Sequence, residues 1–335
     1  MAPILLLFAL LISCQETSLT DAQSVGVCYG KNGNNLPSDQ EVVSLYRSNG
    51  IGRMRIYDPD QSTLAALRGS NIDLILGVPN DKLQALADAS AAATWVRNNV
   101  LAYSSNVKFR YIAVGNEVPP ADPKARYILP AMQNINKAIA SANLQGQIKV
   151  STAIDTTLLG VAYPPSKGTF SGSAISFLNP ILNFLKANGA PLLLNLYPYF
   201  SYVNNQQSIK LDYALFTSPG VVVQDNQYGY QNLFDAQLDA HYAALEKLGA
   251  SNLRIVVSES GWPSAGGTAT TVQNAKTYYS NLINHVKKGT PRRPGQVIEV
   301  YLFAMLDENL KNPAIEKHFG LFYPSKQSKY QLTFS

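Results

Sequence analysis

Apolar positions along the chain fall into short unbroken runs separated by longer amphipathic stretches. The runs are SVGVCY from Ser24, RMRIY from Arg53, DLILGV from Asp73, FRYIAVG from Phe109, IKVSTAI from Ile148, LLLNLY from Leu192, RIVVSES from Arg254 and EVYLFA from Glu299. Their length reads as strands, and the near absence of polar alternation says that both faces of each are buried. The intervals between them are too long for hairpins and carry helix signals. SDQEVVSLYRS opens with Ser38 as an N-cap and Glu41 three residues on, a pair that satisfies free amides reciprocally. LFDAQLDAHYAALEKLG ends on Gly249, a helix stop. Eight such strands alternating with helices require parallel pairing through crossovers. An α/β fold consisting of a single (β/α)8 TIM barrel meets that requirement, with a doubly wound open sheet as the alternative. Gly26, Gly30 and Gly33 follow the first run without dinucleotide-binding spacing, and no P-loop is present.

Composition adds size and destination. With 335 residues, 46% hydrophobic and 15% charged, and no repeat or linker, the chain reads as one domain with a large core. An apolar run over 4–12 is too short for a bilayer, which needs about 20 residues, and small and polar residues follow it. A signal peptide over 1–22, cleaved after Ala22, leaves a domain over 23–335. The charge balance is 27 minus 22, or +5; loss of Glu16 and Asp21 makes it 27 minus 20, or +7. Basic residues are scattered. Lys287, Lys288, Arg292 and Arg293 form the one dense group, without the interleaved aromatics of a nucleic-acid platform, and read as a solvated loop. Cys14 leaves with the signal peptide, so Cys28, inside an apolar run, is expected to be a buried inert thiol.

Barrel chemistry sits where strands end. Glu117, in YIAVGNEVPP, falls just past the fourth strand, and Glu259, in VVSESGWPS, at the end of the seventh. One strand-end acid alone is more simply a helix cap or the partner of an arginine. Two at one mouth suit glycoside hydrolysis, in which one acid protonates the departing oxygen while the other attacks or activates water at the anomeric carbon. Tyr57, Tyr197, Tyr199, Phe200 and Trp262 lie at or just beyond strand ends and are candidates to line a sugar cleft, although any one of them suits a core equally well. Other chemistries have weaker support. His241, His285 and His318 are far apart in sequence and suit surface or packing roles, and Ser260 lacks a G-x-S-x-G elbow.

The chain also carries, in order, GVCYGKNGNNLPS, MRIYDP, YIAVGNEV, ILPAMQNIN, KVSTAID, GAPLLLNLYPYFSY, LFDAQLDAHYAALEK, VVSESGWPSAGG, NHVKKGTPRRPG and EKHFGLFYP. With these it resembles the plant endo-β-1,3-glucanases of glycoside hydrolase family 17 along essentially its whole mature length. The resemblance implies a β/α barrel and retaining, endo-acting hydrolysis of linear β-1,3-glucan, with Glu259 as nucleophile and Glu117 as proton donor. Asn116 would hold the sugar 2-hydroxyl. Glu308, Lys311 and Glu316 would form a supporting cluster, with Lys311 helping to keep Glu259 ionised. Leu306 and Leu310 depart from the pattern, standing where relatives usually carry an aromatic and often a glutamine. No further module follows YQLTFS, which favours secretion to the cell wall or apoplast over the vacuole. No metal or other cofactor is implied. The expected partner is the glucan itself, with no nucleic acid or membrane and a monomeric chain. The target implied is fungal wall glucan in defence or the plant's own callose. A mixed-linkage β-1,3-1,4-glucanase and a glucan-binding protein without turnover are the rival readings.

Overall fold

Eight parallel strands close on themselves in the computed structural model, which describes residues 24–334. The expected signal peptide and its cleavage point lie outside those residues. The strands are β1 (Val25–Cys28), β2 (Arg53–Ile56), β3 (Asp73–Val78), β4 (Lys108–Asn116), β5 (Lys149–Asp155), β6 (Leu192–Asn195), β7 (Ile255–Ser260) and β8 (Val300–Leu302). Each coincides with one apolar run. Closure comes from β1, which pairs with β2 on one side and β8 on the other, so the fold is a single TIM barrel and not an open doubly wound sheet.

Helices α1 (Asp39–Ser48), α2 (Ala125–Ser141), α3 (Gly172–Asn188), α4 (Leu233–Lys247) and α5 (Val272–His285) are among those packed around the strands. The amide of Glu41 donates to Ser38 Oγ at 3.4 Å and Glu41 Oε2 accepts from the Ser38 amide at 3.0 Å, which closes the expected capping box on α1. Past α4, Gly249 takes φ +68°, the left-handed turn that ends a helix.

The buried apolar residues form two cores. A large one lies between strands and helices; a smaller one fills the barrel with residues such as Cys28, Ile75, Leu193, Val256 and Tyr301. Cys28 is fully buried, and burial pushes its thiol up to about 12. At the barrel floor, Glu299 is ringed by Arg53 at 3.3 Å, Arg110 at 2.9 Å and Arg254 at 3.4 Å. Burial opposes its charge, but these three guanidinium groups outweigh it and hold the carboxyl below its ordinary range.

Among the described residues three short antiparallel strand pairs decorate the barrel, and one of them corrects the solvated-loop expectation. Strand residues Gly289–Thr290 pair with Arg293–Pro294. Arg292 is ion-paired with Glu246, and the Arg293 guanidinium lies 4.0 Å from the centre of the Tyr242 ring. These arginines are pinned because α4 presents a carboxylate and an aromatic face to the hairpin, a contact that needs the tertiary fold.

Candidate active site

A cleft of about 810 Å³ opens at the C-terminal ends of the strands, and both candidate acids line it. Glu117 directly follows β4 and Glu259 is the next-to-last residue of β7, and each stands where a strand pairing slips. The β4–β5 pairing shifts between Ala113 and Asn116, and the β6–β7 pairing shifts between Val257 and Glu259. Such irregularities re-aim side chains at barrel rims. Glu117 itself sits at φ +51°, a left-handed conformation uncommon for a residue with a Cβ.

The two carboxyl groups have opposite surroundings. Glu259 is 6% exposed and three donors converge on it. Oε1 accepts from the Tyr57 hydroxyl at 2.8 Å and lies 2.9 Å from Arg55 Nη1, while Oε2 accepts from the Tyr197 hydroxyl at 2.6 Å. Glu117 is open to the cleft, with protein around its other sides, and Oε1 accepts from Asn195 Nδ2 at 2.8 Å. The protein walls, and secondarily the charge of Glu259, push Glu117 up to about 7, against the Asn195 hydrogen bond.

Arg55, only 1% exposed, ties the pair together. Its Nη1 donates to Asn195 Oδ1 at 2.8 Å and to the Ser258 carbonyl at 2.9 Å, and its Nη2 to Asn116 Oδ1 at 2.7 Å. Asn195 Nδ2 also donates to Asn116 Oδ1 at 3.0 Å. The Asn116 backbone is clasped by Asn80, which donates to its carbonyl and accepts from its amide, both at 2.8 Å. With Oδ1 held by two donors, the amide nitrogen of Asn116 is left for a ligand in the cleft.

Glu308, Lys311 and Glu316 line the same cleft. The cation touching Glu259 is Arg55; Lys311 instead pairs with Glu308 at 3.2 Å and stands 4.2 Å over the Phe303 ring. Glu308 is buried, accepts from the Asn32 amide at 2.7 Å, and leaves room for no side chain at position 30: a Cβ on Gly30 would meet its Oε1 at 2.5 Å. Burial pushes Glu316 up, opposed by Lys311 and aided by the charges of Glu259 and Glu308.

Tyr57, Tyr197 and Phe200 line the cleft as expected. Trp262 does not. It is fully buried, with Nε1 donating to the Ala269 carbonyl at 3.0 Å and its ring packed against Tyr199 at 5.0 Å. Tyr199 is likewise core. The chain turns immediately after β7, so Trp262 points beneath the loop and not into the opening. Two aromatics missed in the sequence, Phe303 and Phe319, complete the wall, 5.4 Å apart edge to face. Arg55 and Asn195 were missed too. Their signal was present, as charged or amide residues inside otherwise apolar runs, RMRIY and LLLNLY.

The chain matches glycosyl hydrolases family 17 over residues 25–334. A glucan endo-1,3-beta-glucosidase of Vitis vinifera is 67% identical over 325 residues, covering 96% of this chain and 94% of its own length. The solved structure of CJP38, described as a beta-1,3-glucanase and allergen of Cryptomeria japonica pollen, superposes with a TM-score of 0.90 at 48% identity, covering 93% of this chain and 99% of its own. A further solved chain, described among two plant beta-glucan endohydrolases with distinct substrate specificities, gives 0.89 at 50% identity, covering 92% and 99%.

Proposed function

The chain belongs to glycosyl hydrolases family 17, and from that premise we propose that it is an endo-acting β-1,3-glucanase with a retaining, two-step mechanism. The carrying observation is the asymmetry of the two carboxyl groups: Glu259 holds three donors, whereas Glu117 is pushed up to about 7 and keeps its proton in mildly acidic surroundings.

In the first step a Glu259 oxygen attacks the anomeric carbon while Glu117 passes its proton to the glycosidic oxygen, whose bond to that carbon breaks. The result is a glycosyl ester on Glu259, which cancels one negative charge and leaves Glu117 as a carboxylate beside it. Glu117 then takes a proton from water as that water attacks the same carbon, and the ester bond returns its electrons to Glu259. Arg55, Tyr57 and Tyr197 stabilise the carboxylate as it re-forms. The free amide nitrogen of Asn116 donates to the hydroxyl next to the reacting carbon. Retention requires the carboxyl groups to stand roughly 5–5.5 Å apart, against about 6.5–9.5 Å for inversion. Phe200, Phe303 and Phe319 offer apolar faces to the sugar rings, and Glu308, Lys311 and Glu316 shape the field at one side of the cleft.

The proposed mature unit is 23–335, a monomer exported to the cell wall or apoplast; the export reading rests on the apolar run over 4–12. Among the described residues no helix is long and apolar enough to cross a membrane. The test is reducing-end release by the purified mature chain on linear β-1,3-glucan beside mixed-linkage β-1,3-1,4-glucan. Preference for the first supports the reading. Preference for the second overturns the substrate, and binding without release on either overturns the enzyme assignment.

A further inference from the structure

We infer that a second carbohydrate-binding groove lies on the outer helix layer, between the start of α4 and the end of α5, and that it holds a glucose ring of the β-glucan chain. This rests on the β-glucan reading above. The groove encloses about 440 Å³ and shares no lining residue with the catalytic cleft. That volume is within the range of small-ligand pockets.

Its wall suits an uncharged polyol. Asn281 spends its Nδ2 on the Leu215 carbonyl at 2.9 Å and Gln231 spends its Nε2 on the Ser218 carbonyl at 3.0 Å, so each amide keeps its oxygen for a ligand. His285 Nε2 meets Asp235 Oδ1 at 2.7 Å; the carboxylate accepts, so Nε2 carries a hydrogen and this pair fixes the ring in the groove wall. Asn284 lines the groove from the exposed face of α5 and offers both amide ends. The amide oxygens of Asn281, Gln231 and Asn284 are acceptors, and Lys288, which lines the same groove, is a donor. Sugar hydroxyls can donate to the oxygens and accept from Lys288, whereas a phosphate or sulfate could use Lys288 alone, having few or no protons to give to the amide oxygens.

The apolar side is Phe216. Its backbone stands at φ +60°, a conformation that costs a residue with a Cβ, and its half-buried ring lies 5.2 Å from the His285 ring. An aromatic face beside converging amides is a combination that takes the C–H face and the hydroxyl edge of a pyranose together. A polymer held in the cleft and the groove at once would dissociate more slowly than from either alone.

The experiment follows the side-chain amide signals of Asn281 and Asn284 by ¹H–¹⁵N NMR during titration with a β-1,3-linked glucose hexamer, using Glu259→Gln to prevent turnover. Saturable shifts at both, abolished by Asn284→Arg, are expected. In the otherwise native chain, Asn284→Arg should weaken retention on particulate β-1,3-glucan on the order of ten-fold and leave hexamer hydrolysis unchanged. Shifts confined to the cleft, or absent altogether, overturn the proposal, as does unchanged retention. Failure of the catalytic reading shows separately, as no reducing ends from the native chain while the groove signals still move.

Discussion

The proton on Glu117 sets the pH range over which glucan can be cleaved. Its pKa is raised from 4.5 to about 7 by the surrounding protein and then by the charge of Glu259. With a midpoint near 7, about 99% of the chains carry the proton at pH 5, about 91% at pH 6 and about 9% at pH 8. An ordinary carboxyl at 4.5 would hold it in about 24% at pH 5 and about 3% at pH 6, an eight-fold fall over that unit. The two cases separate cleanly in kcat/KM on linear β-1,3-glucan, which reports the free protein. A nearly flat response from pH 5 to 6, followed by a ten-fold loss per unit above about 7, is the expected profile. Glu117→Gln should abolish the alkaline limb on a substrate with a good leaving group, and Glu259→Gln should lower the Glu117 midpoint read by ¹³C NMR, since one of its causes is gone. A limb centred below about 5.5, or one that survives Glu117→Gln, would refute the assignment of the acid. The same shift has a stability consequence. A carboxyl whose folded pKa exceeds its unfolded value adds stability that is complete below about 4.5 and is lost as pH rises through about 7. Glu117→Gln should therefore melt higher than the parent at pH 8 and equal to it at pH 4.

Tyr197→Phe removes a hydroxyl donor from Glu259 just where that carboxylate must re-form as a leaving group, so deglycosylation slows by roughly 10- to 100-fold, matching a loss of about 1.5–3 kcal/mol. Mass spectrometry should catch the accumulated glycosyl-protein; an unchanged kcat would exclude the role. Arg55→Met leaves buried Glu259 without its cation and takes one donor each from Asn116 Oδ1 and Asn195 Oδ1, with an expected cost of about 3–5 kcal/mol in urea unfolding. A loss below about 1 kcal/mol would mean that the ion pair is not a structural centre. Trp262→Phe should lower the melting temperature and leave KM for soluble glucan as it was, because the indole is core; a raised KM would return it to the cleft.

Local chemistry was enough for much of this protein. Each of the eight apolar runs became a barrel strand because its residues can satisfy burial on both faces only in a parallel sheet covered by helices. Ser38 and Glu41 made their capping box because both partners lie within one helical turn. Glu117 and Glu259 reached one cleft because strand ends share one rim of a closed barrel, a consequence of topology that alternation alone implies. What sequence could not decide was the company each side chain keeps across the barrel. Arg55 and Glu259 are 204 positions apart in the chain, and only closure brings them to 2.9 Å. Lys311 carries the same charge as Arg55 but pairs with Glu308, one turn away. Trp262 looked like a cleft residue because it follows the second acid so closely, yet the direction of the turn after β7 sends it into the core. Spacing along a chain determines periodicity and caps, which depend on neighbours within a few residues; which carboxylate meets which cation depends on the angle at which each strand delivers its last side chain, and that is fixed only when the barrel closes.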